Sequence, residues 1–195
     1  VAGQDSRPTG SEIVRILVIG GCGFIGSHLV DVLANAGLHL RVLDRRSEAF
    51  RPPVAGVDYR FGDFGDAALL GEAIIGCDMV IHLASTSVPY TSNLYPVADI
   101  TGNLVTSVRL LDIMRAVGVR RLVYLSSGGT VYGVPETPLV SEDHPLRPIS
   151  SYGIVKATVE KYILMEERLH GLRPIILRPS NPYGPRQGHI GVQGI

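Results

Sequence analysis

Residues 13–19 form a short, β-branched apolar run, and directly behind it stand Gly20-Gly21-Cys22-Gly23-Phe24-Ile25-Gly26. An uninterrupted apolar run of this length predicts a strand buried on both faces. Over residues 24–36, Ile25, Leu29, Val32, Leu33 and Ala36 recur at helical spacing, and Gly37 stands where a helix C-cap belongs. Strand, G-x-x-G-x-x-G turn and helix in this order let backbone amides face a pyrophosphate unobstructed by side chains. The amino end of the helix adds favourable potential there. Tight turning would be explanation enough for glycines standing alone; with both flanking elements in place, dinucleotide binding is the expectation.

The alternation continues along the chain. Strands are predicted over residues 38–43, 57–61, 79–83, 121–126 and 173–177, and helices over 67–75, 99–117 and 152–170, several of them closed by glycine. Strands alternating with helices imply right-handed crossovers and a doubly wound α/β fold, a parallel sheet with its ligand at the carboxyl ends of the strands. The proline-containing stretch 133–148 is long for a simple connection, and loops of that kind often wall an active site. One nucleotide-binding domain over 13–186 is expected, preceded by a flexible extension over 1–12.

Composition narrows the partners. Lys plus Arg and Asp plus Glu both number 18, so no basic field exists for nucleic acid or an anionic membrane surface. No run approaches the roughly 18 apolar residues of a membrane span, and the polar start lacks the order of a signal peptide. Cys22 and Cys77 show neither CxxC nor metal-ligand spacing, which favours buried thiols, no metal site and a reducing, cytoplasmic compartment. A small molecule is the expected partner.

Individual residues then suggest chemistry. Asp44 ends the second strand, where a carboxylate accepts from the ribose hydroxyls of NAD and repels a 2′-phosphate, while Arg45-Arg46 directly after it leave NADP open. Asp63 suits the adenine amino group or a loop cap equally. Leu83-Ala84-Ser85 offer small residues for close approach at the fourth strand's end, and His82 reads as a satisfied core histidine. Tyr152 and Lys156 stand four apart on a helix, about 6 Å along one face. The expectation is that the ammonium, together with an oxidised nicotinamide, lowers the phenol from about 10 to a useful range.

Gly20 to Gly26, His82-Leu83-Ala84, Ser126 to Gly133 (SSGGTVYG), Tyr152-Gly153-Ile154-Val155-Lys156 and the run Arg178 to Pro185 (RPSNPYGP) together resemble the extended short-chain dehydrogenase/reductase family, in its NAD-dependent epimerase/dehydratase branch. The resemblance implies a Rossmann fold and transient oxidation of a nucleotide-sugar hydroxyl, with UDP-sugar 4-epimerisation leading. It makes Tyr152 the proton acceptor and Lys156 its electrostatic partner and ribose ligand. A cofactor wall of Gly20, Gly23, Phe24, Ile25, Gly26, Asp44, Arg45, Asp63, Phe64, Leu83, Ala84, Ser85, Asn103, Ser126 and Pro179 is implied, with Asn103 orienting the lysine through water. Ser127, Gly128 and Asn181 would face the substrate, and helices 99–117 and 152–170 would pair in a homodimer.

The chain departs from that pattern in two places. Gly128 occupies the position of the usual catalytic serine or threonine. Since alternate strand residues face the same way, Thr130 or Ser126 is better placed than Ser127, and Thr130 is the expected replacement. Gly128 and Gly129 also replace the acid pair of sugar dehydratases, which disfavours water elimination. Relatives continue past Gly184-Pro185 into a lobe enclosing the sugar, so 187–195 is expected to be the truncated start of that lobe. The rivals are an NADP-dependent reductase of a ketone or aldehyde and a non-catalytic nucleotide-sensing module.

Overall fold

Runs such as Arg15–Ile19 (RILVI) and Met79–His82 (MVIH) are too short for buried helices and rich in β-branched residues, so they pair laterally. In the computed structural model, which describes residues 14–187, six strands form one parallel sheet: β1 (Arg15–Ile19), β2 (His39–Asp44), β3 (Asp58–Phe61), β4 (Met79–His82), β5 (Arg121–Leu125) and β6 (Arg173–Leu177). Their order is β3-β2-β1-β4-β5-β6. The order reverses between β1 and β4, and at such a switch point the crossovers diverge and leave a crevice at the carboxyl edge. The expected extension over 1–12 and the segment after residue 187 lie outside the described residues.

Alternation along the strands builds two cores. Leu17 and Ile19 of β1 pack with Leu43, Val80, Leu122 and Tyr124 against one helical layer, while Ile16 and Val18 join Val42 and Ile81 on the other face. The first layer is α2 (Ala67–Ile74), α5 (Thr106–Val117) and α6 (Ser151–His170), which contribute Leu70, Met114 and Ile163, all at most 1% exposed. The second layer holds α1 (Phe24–Asn35), with Val30 fully buried. Each such aliphatic side chain contributes roughly 1.5–3 kcal/mol on burial.

The predicted helix over 99–117 is present as one continuous helical run that begins earlier, at Pro96, and changes its winding partway. Two four-residue helices, α3 (Pro89–Ser92) and α4 (Pro96–Asp99), lead into a π-helical turn, Ile100–Val105, before α5 begins. Proline at the first helical position is compatible with each start. The π-turn alters the facing of residues 99–105, an insertion often found at functional sites. Helix α6 begins with Ser150, whose side chain accepts from the Gly153 amide, and ends at Gly171 in the left-handed region.

The loop after β5 is pinned rather than free. Arg178 Nη1 donates to the Glu142 carbonyl at 3.0 Å and to the Tyr132 hydroxyl at 2.9 Å, and Arg147 pairs with Glu136. At the far end, the Pro185 carbonyl meets His28 Nε2 at 2.9 Å and Arg186 pairs with Asp31 at 2.7 Å, tying this segment back to α1.

Close approach governs the glycine turn. A Cβ at Gly26 would lie 2.1 Å from the Gly20 carbonyl oxygen, so α1 packs onto the turn only without one. Alanine normally favours a helix by about 1 kcal/mol over glycine. For Gly26→Ala the overlap reverses that sign: thermal unfolding should show a lower midpoint, and an unchanged or higher midpoint would contradict the packing described.

Candidate active site

The carboxyl ends of β1, β2, β4 and β5 open into one cleft of about 380 Å³. Its first wall is the turn Gly20, Gly23, Phe24, Ile25 and Gly26. Gly20 has φ +86°, and a Cβ there would come within 2.9 Å of the Ala84 amide, so β1 and β4 close up only through glycine. Gly23 makes no side-chain cap to α1, leaving first-turn amides available at the amino end of a 12-residue helix. This is a cradle that fits a pyrophosphate.

Asp44 stands at the second wall with Arg45 and Arg46. Its carboxylate is fixed by two backbone amides, Cys22 N to Oδ2 at 3.0 Å and Arg46 N to Oδ1 at 3.1 Å. Each oxygen keeps acceptor capacity for a ribose hydroxyl. Gly62 and Phe64 follow β3, and Leu83, Ala84 and Ser85 follow β4. Sequence reasoning missed Gly62, Thr86, Ser87 and Val88 on these walls, since loop residues carry no periodic signal.

At the other end Leu125, Ser126, Tyr152 and Lys156 meet. Lys156 is only 5% exposed; its Nζ donates to the Leu125 carbonyl at 2.7 Å and lies 5.6 Å from the centre of the Tyr152 ring. Burial lowers its pKa to about 8, against the pull of the Asp99 and Glu160 carboxylates. Burial, with Asp99 adding to it, pushes the Tyr152 phenol up to about 12. Among the protein's own groups burial thus raises the phenol; the expected acidification calls for an oxidised nicotinamide as well as the ammonium. His82 lies in the core as expected, bonded through Nε2 to Ser107 Oγ at 3.0 Å, with burial first and Lys156 second depressing its pKa to about 3.

Other anticipated residues stand off the cleft. Asp63 caps its own loop, accepting from Gly65 N at 2.8 Å, with Arg45 3.9 Å away. Asn103 is buried one layer behind, its Oδ1 accepting from Thr86 N at 2.8 Å and its Nδ2 donating to Asp99 at 2.8 Å. The Pro179 carbonyl accepts from Gly128 N at 2.7 Å, and Asn181 is exposed. Ser127 is buried, and its carbonyl accepts from Thr130 N and Val131 N.

That turn explains Thr130. Strand β5 ends at Leu125, so residues 127–131 curl and the alternation used to choose Thr130 does not extend to them. Thr130 lies outside the cleft wall, its Oγ1 buried without a hydrogen-bond partner among the described residues. A Cβ on Gly128 would meet the Arg178 carbonyl oxygen at 2.6 Å, so a serine or threonine has no room there. Ser126 is the hydroxyl that reaches the cleft, donating to the Glu160 carboxylate on α6. Glu160 is in turn held by Arg178 at 2.7 and 3.0 Å, a pair that local sequence spacing does not reveal.

Known proteins are similar to this chain in sequence and fold. The model of the NAD dependent epimerase/dehydratase family matches residues 16–194. The UDP-glucose 4-epimerase of Mycolicibacterium smegmatis is 38% identical over 189 residues, 93% of this chain and 60% of the relative. Among solved structures, the Thermus thermophilus UDP-glucose 4-epimerase in complex with NAD superposes with a TM-score of 0.84 at 38% identity, over 90% of this chain and 58% of that one. The Thermotoga maritima UDP-glucose 4-epimerase with UDP-glucose gives 0.87 at 32% identity, over 93% and 60%. The chain thus spans about 60% of the length of the curated relatives it matches. With the family model matching residues 16–194 and these relatives sharing more than 30% identity, the chain belongs to the NAD-dependent epimerase/dehydratase family.

Proposed function

We propose that this chain is the dinucleotide-binding part of a nucleotide-sugar epimerase, with UDP-glucose and UDP-galactose as the leading pair. The observation that carries the reading is the meeting of the glycine turn and the Tyr152–Lys156 pair in one cleft. Relatives solved with NAD and with UDP-glucose support the ligand classes.

The residues fit NAD in a particular direction. Gly20 to Gly26 would take the pyrophosphate, and Asp44 the adenosine ribose, whose free 2′-hydroxyl it can accept from but whose phosphate it would repel. When bound, NAD supplies the acceptor and later the donor of the hydride at the inverting sugar carbon. Tyr152 takes the proton of the sugar hydroxyl as that carbon is oxidised and returns it when the carbon is reduced from its other face. Ionising a phenol of pKa about 12 at neutrality needs roughly 7 kcal/mol of added stabilisation. Lys156 contributes positive potential, and a bound cationic nicotinamide would add to it.

Gly128 leaves the usual third hydroxyl unfilled, so Ser126, already oriented by Glu160, is the candidate to bond the sugar hydroxyl. No carboxylate stands between Ser126 and Gly133, which sets water elimination aside. Among the described residues, no helix is long and apolar enough to cross a membrane. Exposed Ile154, Leu164 and Met165 on α6, with Val105 at the end of the π-helical turn, would serve a homodimer.

Incubating the full-length protein with NAD and UDP-galactose should give UDP-glucose by proton NMR. Tyr152→Phe should lose at least about a thousandfold in turnover, within the usual range for a general base, while still binding NAD. Inactivity of the unsubstituted protein across UDP-sugars would contradict the reading. Because Arg45 and Arg46 also line the cleft, calorimetry with both cofactors separates an epimerase from an NADP-dependent reductase. NAD should bind at least tenfold tighter than NADP, about 1.4 kcal/mol, and Asp44→Asn should erase that gap; a native preference for NADP would favour the reductase.

A further inference from the structure

Asp99 is a charged side chain that the chemistry above leaves without a task. It closes α4 and is 2% exposed. Its Oδ1 accepts from Ser87 Oγ at 2.6 Å and Asn103 Nδ2 at 2.8 Å, and its Oδ2 accepts from Ser151 Oγ at 2.7 Å. These donors belong to three segments: the cleft loop after β4, the π-helical turn, and the first turn of α6 beside Tyr152. All three are neutral, so they satisfy the oxygens without cancelling the charge. A gap of about 10 Å³, room for about one water, is lined by Asp99 and Asn103 together with His82, Tyr152 and Lys156.

We propose that Asp99 is a positioning residue of this site: its buried carboxylate is the counter-charge to Lys156, with which it lines a one-water gap, and the tether that fixes the Ser87 loop to the helical turn carrying Tyr152. The proposal rests on the reading of Tyr152 and Lys156 as the working pair. Other groups around the ammonium supply less of the balancing charge than Asp99. Glu160, on α6, is paired in two places with Arg178. His82, on β4, is neutral, its pKa held near 3 by burial and by Lys156. Tyr124, on β5, keeps its proton because burial, and then Tyr152, Glu160 and Asp99, raise it well above 10.

The sign of the effect follows from charge. Burial depresses Lys156, and Asp99 is the first opposing cause, so the carboxylate keeps the ammonium protonated to higher pH. The same charge disfavours a Tyr152 phenolate, so the phenol ionises only when further positive potential arrives. Asp99 thus defends one partner's charge and suppresses the other's in their resting state. Through Ser87 it also links the cleft loop to that balance.

The chain holds only two lysines, Lys156 and Lys161, which makes the test direct. With lysine labelled at Cε, the carbon resonances of the two titrate separately, and exposed Lys161 serves as internal reference. In Asp99→Asn the Lys156 midpoint should fall by about one unit or more below its value in the unsubstituted chain; an unchanged midpoint in a folded variant overturns the proposal. If that variant does not fold, the unsubstituted chain still decides: the Asp99 carboxyl carbon should show an inflection at the Lys156 midpoint, as coupled groups do. A flat response there overturns the proposal too. NAD binding measured on the same samples keeps the two readings apart, because a chain that shows the coupling but binds no NAD loses the epimerase reading and retains Asp99 as the counter-charge.

Discussion

An ammonium buried to 5% exposure, donating to the carbonyl at the end of β5, is the constraint around which the working end of this molecule is arranged. Removing a charge from water costs several kcal/mol unless partners compensate. Here the partners come from every side: Leu125 from the sheet, Glu160 from the same helix, and Asp99 from the turn before α5. Glu160 is itself tied to Arg178 beyond β6 and accepts from Ser126 at the cleft. The carboxyl edge of the sheet is therefore cross-linked by charges, and the phenol of Tyr152 is placed within the field they create.

The glycine turn meets this charged end across the switch point. Both depend on the same departure from ordinary side chains, since Gly20 lets β1 approach Ala84 and Gly128 lets β5's exit pass under Arg178 and Pro179. A long ligand laid across the edge would touch backbone amides at one end and a protonated lysine at the other. That asymmetry gives the cleft a direction, and on the proposed reading the reacting carbon would lie beside Tyr152 rather than beside Asp44.

What was legible in the chain was what repeats locally. Alternating apolar runs announced the six strands and the sheet class, and the turn from Gly20 to Gly26 and the Tyr152–Lys156 spacing announced the two ends of the cleft. What was hidden depends on contacts far apart in sequence: Ser151 meets Asp99 52 residues away, and Ser126 meets Glu160 34 residues away. The π-helical turn hid Asp99 by changing the facing expected from a regular helix. Thr130 was misplaced because β5 stops at Leu125 and strand parity stops with it. Short α3 offered only Pro-Tyr-Thr-Ser, too little for periodicity to register.

On the proposed reading, the cleft would invert a sugar carbon by moving a hydride out and back without exchange with water, with Tyr152 and Lys156 as the working pair. The most direct measurement uses UDP-glucose carrying deuterium at the inverting carbon, incubated with the full-length protein and NAD in ordinary water. The account predicts UDP-galactose that keeps the deuterium at that carbon. Product from which the label has washed into the solvent would contradict it.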